Sequence, residues 1–541
     1  MKSTDRAARP YTFVHGPKIR GTTPNTSLIR SQLMRRRHLE RAKTVNSGSL
    51  HNQYTTPRIP ICQCGQESDH RQLSPSTKPW EIGNSRIDPF LADRYRTTPH
   101  FDLLLHHCTH VLWPMARPSE FSERSLQAYL HPARSPMVVQ SMLYSASLHF
   151  NALPMIRGAT KRASLDTAEQ LQLKGSVMIR IREKLSTVTQ RNIGCKWVDD
   201  ILLSILYLAA NENLDHVEPP ETSPFVPPFC SLQLMEFYGS CEFHPLHWQT
   251  VQHIVLERGG LETVKLYGLA WLISMSISLI VAINTHRRPV FPLISPEGKP
   301  CLHRAPLQAL SIRTPPRHAT RHNHGFQQLA LLSPPVKGSL IRIFLDLNEI
   351  TQALHVLSSR SCGATLLTQI GDTRASVLHR LCSLPDHRDR ISAILHKRPG
   401  CTAEQQQRSI AVYLVCRGTA LLHGASVVLP LPRMSRLRAT MTNEIYENMV
   451  RLQGREMTKH ECEIFLWCCV VAGICADATP SIRTWFVARV REYCNVLGID
   501  SWDKLLELLK SFAWLDGASE EAGKTFWTEI TTSGSEMPCE Y

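Results

Sequence analysis

The sequence predicts an all-α fold: a large body of stacked, paired helices with a disordered basic N-terminal segment. Apolar residues recur at helical spacing through most of the chain, and no series of alternating strand-like segments is found. The C-terminal region is the clearest case, because half of the ten tryptophans, Trp467, Trp485, Trp502, Trp514 and Trp527, lie there. These observations favour helices that bury aromatic faces against one another.

The C-terminal helices have recognisable ends. A helix is predicted over 481–497, with Thr479 as N-cap, Pro480 in the first turn and Gly498 as the stop signal. A second amphipathic stripe runs over 502–513 behind Ser501. Two adjacent helices of this kind must cover each other or a larger core.

The aromatic faces of these helices predict specific core residues. Trp485 and Trp502 lie on the apolar stripes, so we expect both indole rings to be largely buried. Further helices are predicted over 197–212, 247–260, 407–425 and 443–453. The C-terminal block carries no catalytic signature and is predicted to be a packing module.

Composition is consistent with a folded body that lacks disulfides. The chain has 541 residues with 43% hydrophobic content, which is enough for a sizeable core. Its 17 cysteines follow no framework, and no apolar run at the start serves as a secretory signal. We therefore expect reduced thiols in the cytosol or nucleus.

Positive charge is concentrated in two segments. Residues 1–60 contain twelve Lys or Arg and two acidic residues, a net charge of +10. Residues 284–326 carry a net +6, whereas the whole chain carries +15. The rest of the chain is therefore close to neutral, and the basic segments are the strongest indication of a partner.

The first basic segment, residues 1–83, is rich in Ser, Thr, Pro, Asn and Gln and is expected to be disordered. Within it, 27–43 could form a short basic helix. The candidate functional residues are its clustered cations, which suit phosphates or a nuclear import receptor: Arg35, Arg36, Arg37, Arg41 and Lys43. A solvated tail without a partner and a mitochondrial transit peptide remain alternatives.

The remaining body, residues 84–541, is expected to be interrupted by a second basic segment. This flexible Pro/Arg/His-rich insertion covers about 288–338, where repeated prolines exclude a continuous helix. Just before it, 266–283 contains eighteen residues without a charge. That stretch fits either a fully buried helix, which we prefer, or a membrane span.

Several short motifs have weak chemical interpretations. Three groups could bind a metal by residue type alone, but each lacks a complete ligand pattern: His318, His322 and His324; Cys62, Cys64 and His70; His106, Cys108 and His110. The sequence GASEEAGKT (517–525) has five residues between its glycines, whereas a phosphate-binding loop requires four. We predict no metal, no cofactor and no catalytic residues, hence a protein that is not an enzyme.

Blocks along the body resemble a known family. The segments EIFLWCCVVAGICA (463–476), RTWFVARVREYCNVLGIDSWDKLLELLKSFAWLD (483–516) and TFWTEI (525–530) resemble the C-terminal helical region of fungus-specific transcription-factor-like proteins. Upstream blocks resemble the same family in the expected order, at 86–90, 103–114, 247–264 and 270–292. The family often begins with a six-cysteine zinc cluster or a short basic segment, and this chain has only the second.

The resemblance implies a nuclear transcription-regulator-like protein with a helical regulatory domain over 84–541. The implied partners are DNA, a nuclear import receptor, other transcription proteins, and a second copy or related chain in a homo- or heterodimer, without a membrane. One alternative is a helical interaction scaffold that does not bind DNA, which the missing zinc cluster favours. A further alternative is a mitochondrial or membrane-associated protein.

Overall fold

The computed structural model describes residues 99–118, 120–156, 167–211, 221–239, 243–312, 325–454 and 456–532. All of them belong to one unit, 69–541. The predicted N-terminal segment, 1–83, lies outside the described residues.

The described residues form an all-α body, as predicted. The helices of its first half are α1 Phe101–His107, α2 Trp113–Ala116, α3 Phe121–Tyr129, α4 Pro136–Ile156, α5 Thr167–Leu185, α6 Lys196–Asn211, α7 Met235–Tyr238, α8 Pro245–Glu257, α9 Leu269–Trp271, α10 Leu279–Thr285 and α11 Pro306–Ala309. Those of its second half are α12 Gly338–Ser358, α13 Ala364–Cys382, α14 Ile391–Ile394, α15 Ala403–His423, α16 Ser435–Val450, α17 Lys459–Cys475, α18 Pro480–Leu497, α19 Trp502–Ser511 and α20 Asp516–Thr532. Within these ranges, extended pairing is limited to two isolated bridges, Ile294 with Pro300 and Val336 with Leu395.

Neighbouring helices pack as pairs, and the pairs stack. The most extensive contacts are between α17 and α18, α15 and α16, and α4 with both α5 and α6. Helix α15 also packs on α17, and this contact joins the α15–α16 pair to the α17–α18 pair. This arrangement confirms the predicted stacked, paired helices.

Helix α17 is the centre of the second half. Its N-terminus is closed by a capping box, in which Thr458 and Glu461 bond each other's backbone amides. Side chains are buried around its whole circumference from Ile464 to Cys475, the pattern of a core helix with neighbours on every side. The buried indole of Trp467 donates a 2.9 Å hydrogen bond to the carbonyl of Ala513, which ties α17 to the segment after α19.

The ends predicted for the C-terminal helix are confirmed. Helix α18 follows Thr479, opens with Pro480 and ends at Gly498, whose φ of 67° is left-handed. Glycine adopts this conformation at little cost, which explains the stop.

Trp485 and Trp502 are both of intermediate exposure, so they pack against neighbouring helices without lying at the centre of the core. Trp485 lies at the edge of α18 against Tyr446, with 5.0 Å between ring centroids. The fully buried indole of this region is Trp467 instead. Periodicity placed the stripes correctly but could not tell the centre of a packed face from its edge.

The expected flexible loop at about 288–338 is corrected for its described parts, 288–312 and 325–338. Apart from α11 and a short 3-10 helix, Phe326–Ala330, these parts are irregular, but they are packed: Phe291, Ile294, Phe326 and Val336 are all buried. The carbonyl of Phe291 accepts a 2.9 Å hydrogen bond from His379 Nε2. Prolines exclude a long helix here without preventing apolar side chains from entering the core.

The uncharged stretch 266–283 is also part of the core. It consists of α9, a π-helical segment Leu272–Ser278, and α10. In the described part of the chain, one helix is long and apolar enough to span a membrane, Ala403–Val428, and 83% of its apolar window is buried inside the protein. Such burial is that of a core helix.

Candidate functional site

The predicted binding residues Arg35, Arg36, Arg37, Arg41 and Lys43 lie outside the described residues. So do Cys62, Cys64 and His70, and the histidines at 318, 322 and 324. Their roles stay predictions.

In the part that the structure describes, the second basic segment packs against the helical body. Arg288 forms an ion pair with Asp389. His303 lies 3.3 Å from the buried carboxylate of Asp346, which also pairs with Arg342 and Arg380. These contacts hold the segment against α12, α13 and the loop after α13, and the ion pair of Arg288 neutralises part of its charge.

His106, near the end of α1, stacks on His110 in the π-helical segment Cys108–Leu112 that follows. The rings of His106 and His110 are 4.2 Å apart and nearly parallel, and Cys108 is buried. In the described part of the chain, no group of three or more His, Cys, Asp or Glu residues could hold a metal ion.

The GASEEAGKT sequence lies entirely in α20 rather than in a loop. A Cβ atom at Gly523 would come within 2.6 Å of the Trp502 ring and 2.9 Å of the Trp514 ring. This glycine therefore allows two indoles to approach the helix backbone, which is a packing role.

A pocket of chemical interest lies where α10, α13, α15 and α16 meet. Its enclosed space is about 10 Å³, room for about one water molecule, at the base of a depression of about 280 Å³ that is open to solvent. Its lining combines an apolar wall with three basic residues: Ala282, Ile283, His286, Arg287, Cys382, Arg417, Leu421, Leu437 and Met441. We call it the Arg417 pocket.

The end of α10 brings two of these basic residues to the pocket. His286 adopts a left-handed conformation, with φ of 52°, and stops the helix. The next amide, that of Arg287, turns back and donates a 3.0 Å hydrogen bond to the carbonyl of Ala282. This reversal places His286 and Arg287 together on the pocket lining.

Arg417 enters the pocket from the middle of α15. Arg417 is only 9% exposed. Its Nε atom is buried and has no hydrogen-bond partner. Within the described ranges, no carboxylate forms an ion pair with its guanidinium.

Glu444 and Asp389 interact electrostatically with Arg417, although neither forms an ion pair with it. Burial, with help from the nearby Arg417 charge, lowers the pKa of His286 to about 4, so this imidazole is neutral at pH 7. Burial raises the pKa of the Cys382 thiol to about 12, so the thiol is neutral as well. Glu444 lies 4.0 Å from His286 Nδ1, but its side chain is 55% exposed. The pocket therefore presents positive charge beside an apolar wall.

Sequence reasoning missed this pocket, although one signal was present. Arg417 is the only Lys, Arg, Asp or Glu between Ser409 and Val428, a mostly apolar stretch that contains the second half of α15. An isolated charge in a core helix indicates a buried polar site. Its neighbours come from three other helices, however, and periodicity does not reveal which helices meet.

No family model, no curated protein and no solved structure matches this chain. The site is therefore interpreted from its residues and their geometry.

Proposed function

We propose that this chain is a nuclear transcription-regulator-like protein. In this proposal a basic N-terminal segment serves nuclear import or DNA contact, and the helical body is the regulatory part. Its partners are a nuclear import receptor, DNA and other transcription proteins, and it acts as a homo- or heterodimer.

The observation that carries the proposal is the separation of charge along the sequence. Residues 1–60 have a net charge of +10, with Arg35, Arg36 and Arg37 in one run. Clustered arginines are read by import receptors and neutralise phosphates with release of counterions. The all-α body supports the same interpretation in one respect, because the resemblance implies a helical regulatory region.

A second candidate function is a helical interaction scaffold that does not bind DNA. The specific observation in its favour is that the sequence contains no six-cysteine zinc cluster. Cationic side chains that are not held on a rigid DNA-binding element contact phosphates, but they do not fix the position of the protein against the base edges.

Localisation of a fluorescently tagged full-length chain tests the proposal. The test variant replaces Arg35, Arg36, Arg37, Arg41 and Lys43 by Ala. Since these changes remove five positive charges from one cluster, nuclear accumulation should fall severalfold, while the melting temperature of the purified protein should stay the same.

A matched control removes the same charge from the body surface. Its five substitutions to Ala are at exposed positions: Arg191, Lys265, Arg360, Arg436 and Lys459. This control should accumulate in the nucleus like the wild type. Mitochondrial accumulation of the wild type would overturn the nuclear proposal, as would equal nuclear loss in both variants.

A further inference from the structure

We propose that the outer face of helix α5 docks an acidic amphipathic helix of a partner protein. Apolar side chains run along the middle of this face, and cations lie on both of its sides. This inference goes beyond the proposed nuclear function and does not depend on it, because it rests on the surface of the helical body.

The middle of the face is an apolar row that points to solvent. Leu171 is 65% exposed and Ile179 is 58% exposed, and they lie four residues before and after Gly175. Residues four positions apart share one face of a helix, so these three residues form a single row, which we call the Gly175 row. The opposite side of α5 is buried in the body through Leu173, Val177, Ile181 and Leu185.

Gly175 makes a notch in the middle of this row. A Cβ atom at Gly175 would have no neighbouring atom within 4 Å, so the packing of the body does not require a glycine there. Glycine in the middle of a helix is also less favourable than alanine. Between two large apolar side chains, however, a missing side chain leaves a hole that can receive a side chain of a second helix.

Cations lie on both sides of the Gly175 row. Lys174 and Arg182 follow one side at helical spacing, and Arg180 and Lys184 follow the other. Arg180, Arg182 and Lys184 are exposed, and Lys174 is half-buried.

The acidic residues of α5 do not balance these cations. Glu169 is buried and lies 2.6 Å from Nδ1 of His100, which leaves Glu183 as the exposed carboxylate of the helix. Four cations against one exposed carboxylate give the outer face a net charge of +3. The face therefore combines apolar contact area with positive charge on both edges.

This combination fits an amphipathic helix whose polar edges are acidic. Such a helix would place its apolar side chains on Leu171 and Ile179, with one of them in the notch at Gly175, and its carboxylates would meet the cations on both sides. Like charge disfavours two other occupants: a second copy of this face, at +3, and residues 1–60 of this chain, at +10.

A membrane or a nucleic acid fits the face less well. A nucleic acid would neutralise the cations but would leave the Gly175 row against a phosphate backbone. An anionic bilayer would gain little from insertion of two large side chains separated by a notch, because binding at the interface scales with the buried apolar area. The partner that uses the charge, the apolar row and the notch together is a helix.

Fluorescence anisotropy of a labelled synthetic peptide tests the proposal with the full-length chain at about 150 mM NaCl. The probe is a helix of about 16 residues with Leu on one face and Glu and Ala elsewhere, about the length of the exposed part of α5. A scrambled peptide of the same composition controls for attraction to the basic N-terminal segment, because it carries the same charge without an apolar face. The scrambled peptide should bind at least about tenfold more weakly.

Three variants connect this binding to the face. Ile179→Glu places a negative charge in the exposed row and should weaken binding at least about tenfold. Gly175→Gln fills the notch and should weaken binding severalfold, whereas the melting temperature should not fall, since open space surrounds this position. Lys174→Gln combined with Arg180→Gln should weaken binding about two- to tenfold and reduce its salt dependence.

Matched controls make the same chemical changes elsewhere on the body. Val496→Glu changes an apolar residue of α18 that is 63% exposed. Arg436→Gln combined with Lys459→Gln removes two exposed cations of α16 and α17. Both controls should bind the amphipathic peptide like the wild type.

The proposal is overturned if the wild type binds the amphipathic peptide no more tightly than the scrambled one, or if Ile179→Glu binds it like the wild type. Unchanged binding by Gly175→Gln would refute the role of the notch. Binding to phosphatidylserine vesicles that Ile179→Glu abolishes, without binding of the peptide, would assign the face to a membrane instead. Should Ile179→Glu fail to fold, Leu171→Gln replaces it, and unchanged peptide binding by that variant would refute the role of the Gly175 row.

Discussion

The ring of Phe326 meets the ring of Trp467 edge to face, with 5.2 Å between their centroids. Phe326 comes from the segment expected to be a flexible insertion, and Trp467 comes from the central helix α17. The Phe326 ring also contacts Phe344 and Phe512, so it joins α12, α17 and the end of α19. The segment after residue 324 is therefore a core element.

The first prediction concerns this aromatic cluster. Phe326→Ala should lower the free energy of unfolding by about 3–5 kcal/mol, because the ring is fully buried and its removal leaves a cavity. Urea unfolding followed by circular dichroism measures this change. Leu331→Ala is the matched control, since Leu331 lies five residues later and is 61% exposed; it should cost no more than about 0.5 kcal/mol. Equal stability of Phe326→Ala and the control would contradict the packing.

A second prediction separates the two glycines of the GASEEAGKT sequence. Gly523→Ala should destabilise the protein by about 1–3 kcal/mol, because the new methyl group overlaps the Trp502 and Trp514 rings. A Cβ atom at Gly517 would have no neighbouring atom within 4 Å. Gly517→Ala should therefore be neutral or stabilising by up to about 1 kcal/mol. Tryptophan fluorescence should change only in the first variant. Similar behaviour of both variants would argue against the packing role.

Stability should also decrease in acid, partly because of His423. Burial lowers the pKa of this imidazole to about 3, and its Nε2 lies 3.3 Å from the hydroxyl of Thr351. Below the ordinary pKa of about 6.5, the unfolded chain binds a proton that the folded chain excludes. The free energy of unfolding should therefore fall as pH drops from 6.5 towards 3, by up to about 1.4 kcal/mol per pH unit from this group.

Denaturant titrations at several pH values test this effect. His423→Gln should reduce the slope of stability against pH, although His107, whose pKa burial lowers to about 4, retains part of it. His355→Gln, at an exposed position of α12, should leave the slope unchanged. An identical slope in wild type and His423→Gln would show that this histidine is not buried in its neutral form.

Local signals in the sequence were enough to predict the helices and several of their ends. Pro480 and Gly498 mark α18 because each restricts or frees the backbone at that residue alone. The apolar spacing of 197–212 likewise matches α6, Lys196–Asn211. These features depend on neighbours in the chain, so the sequence contains them directly.

Features that depend on contacts between distant segments were not predicted. The partly exposed position of Trp485 is set by Tyr446 on another helix. The Arg417 pocket requires the reversal at His286 and the crossing of α15 with α16. Neither is encoded in a local period, because a helical stripe specifies a buried face but not the helix that covers it.

The last prediction tests whether the basic N-terminal segment binds DNA through charge. Binding of the full-length chain to a short duplex, measured by fluorescence anisotropy between 50 and 200 mM NaCl, should weaken with salt. Each phosphate that is neutralised contributes a slope of about −0.9 in log affinity against log salt. Replacing Arg35, Arg36, Arg37, Arg41 and Lys43 by Ala should therefore flatten the slope by up to about 4.5 if all five contact phosphates. The control with five Ala substitutions on the body surface should keep the wild-type slope. Binding should also be nearly equal for unrelated duplex sequences, because phosphate contacts carry no base information. A slope that the N-terminal substitutions leave unchanged, or no binding by the wild type, would favour the interaction scaffold.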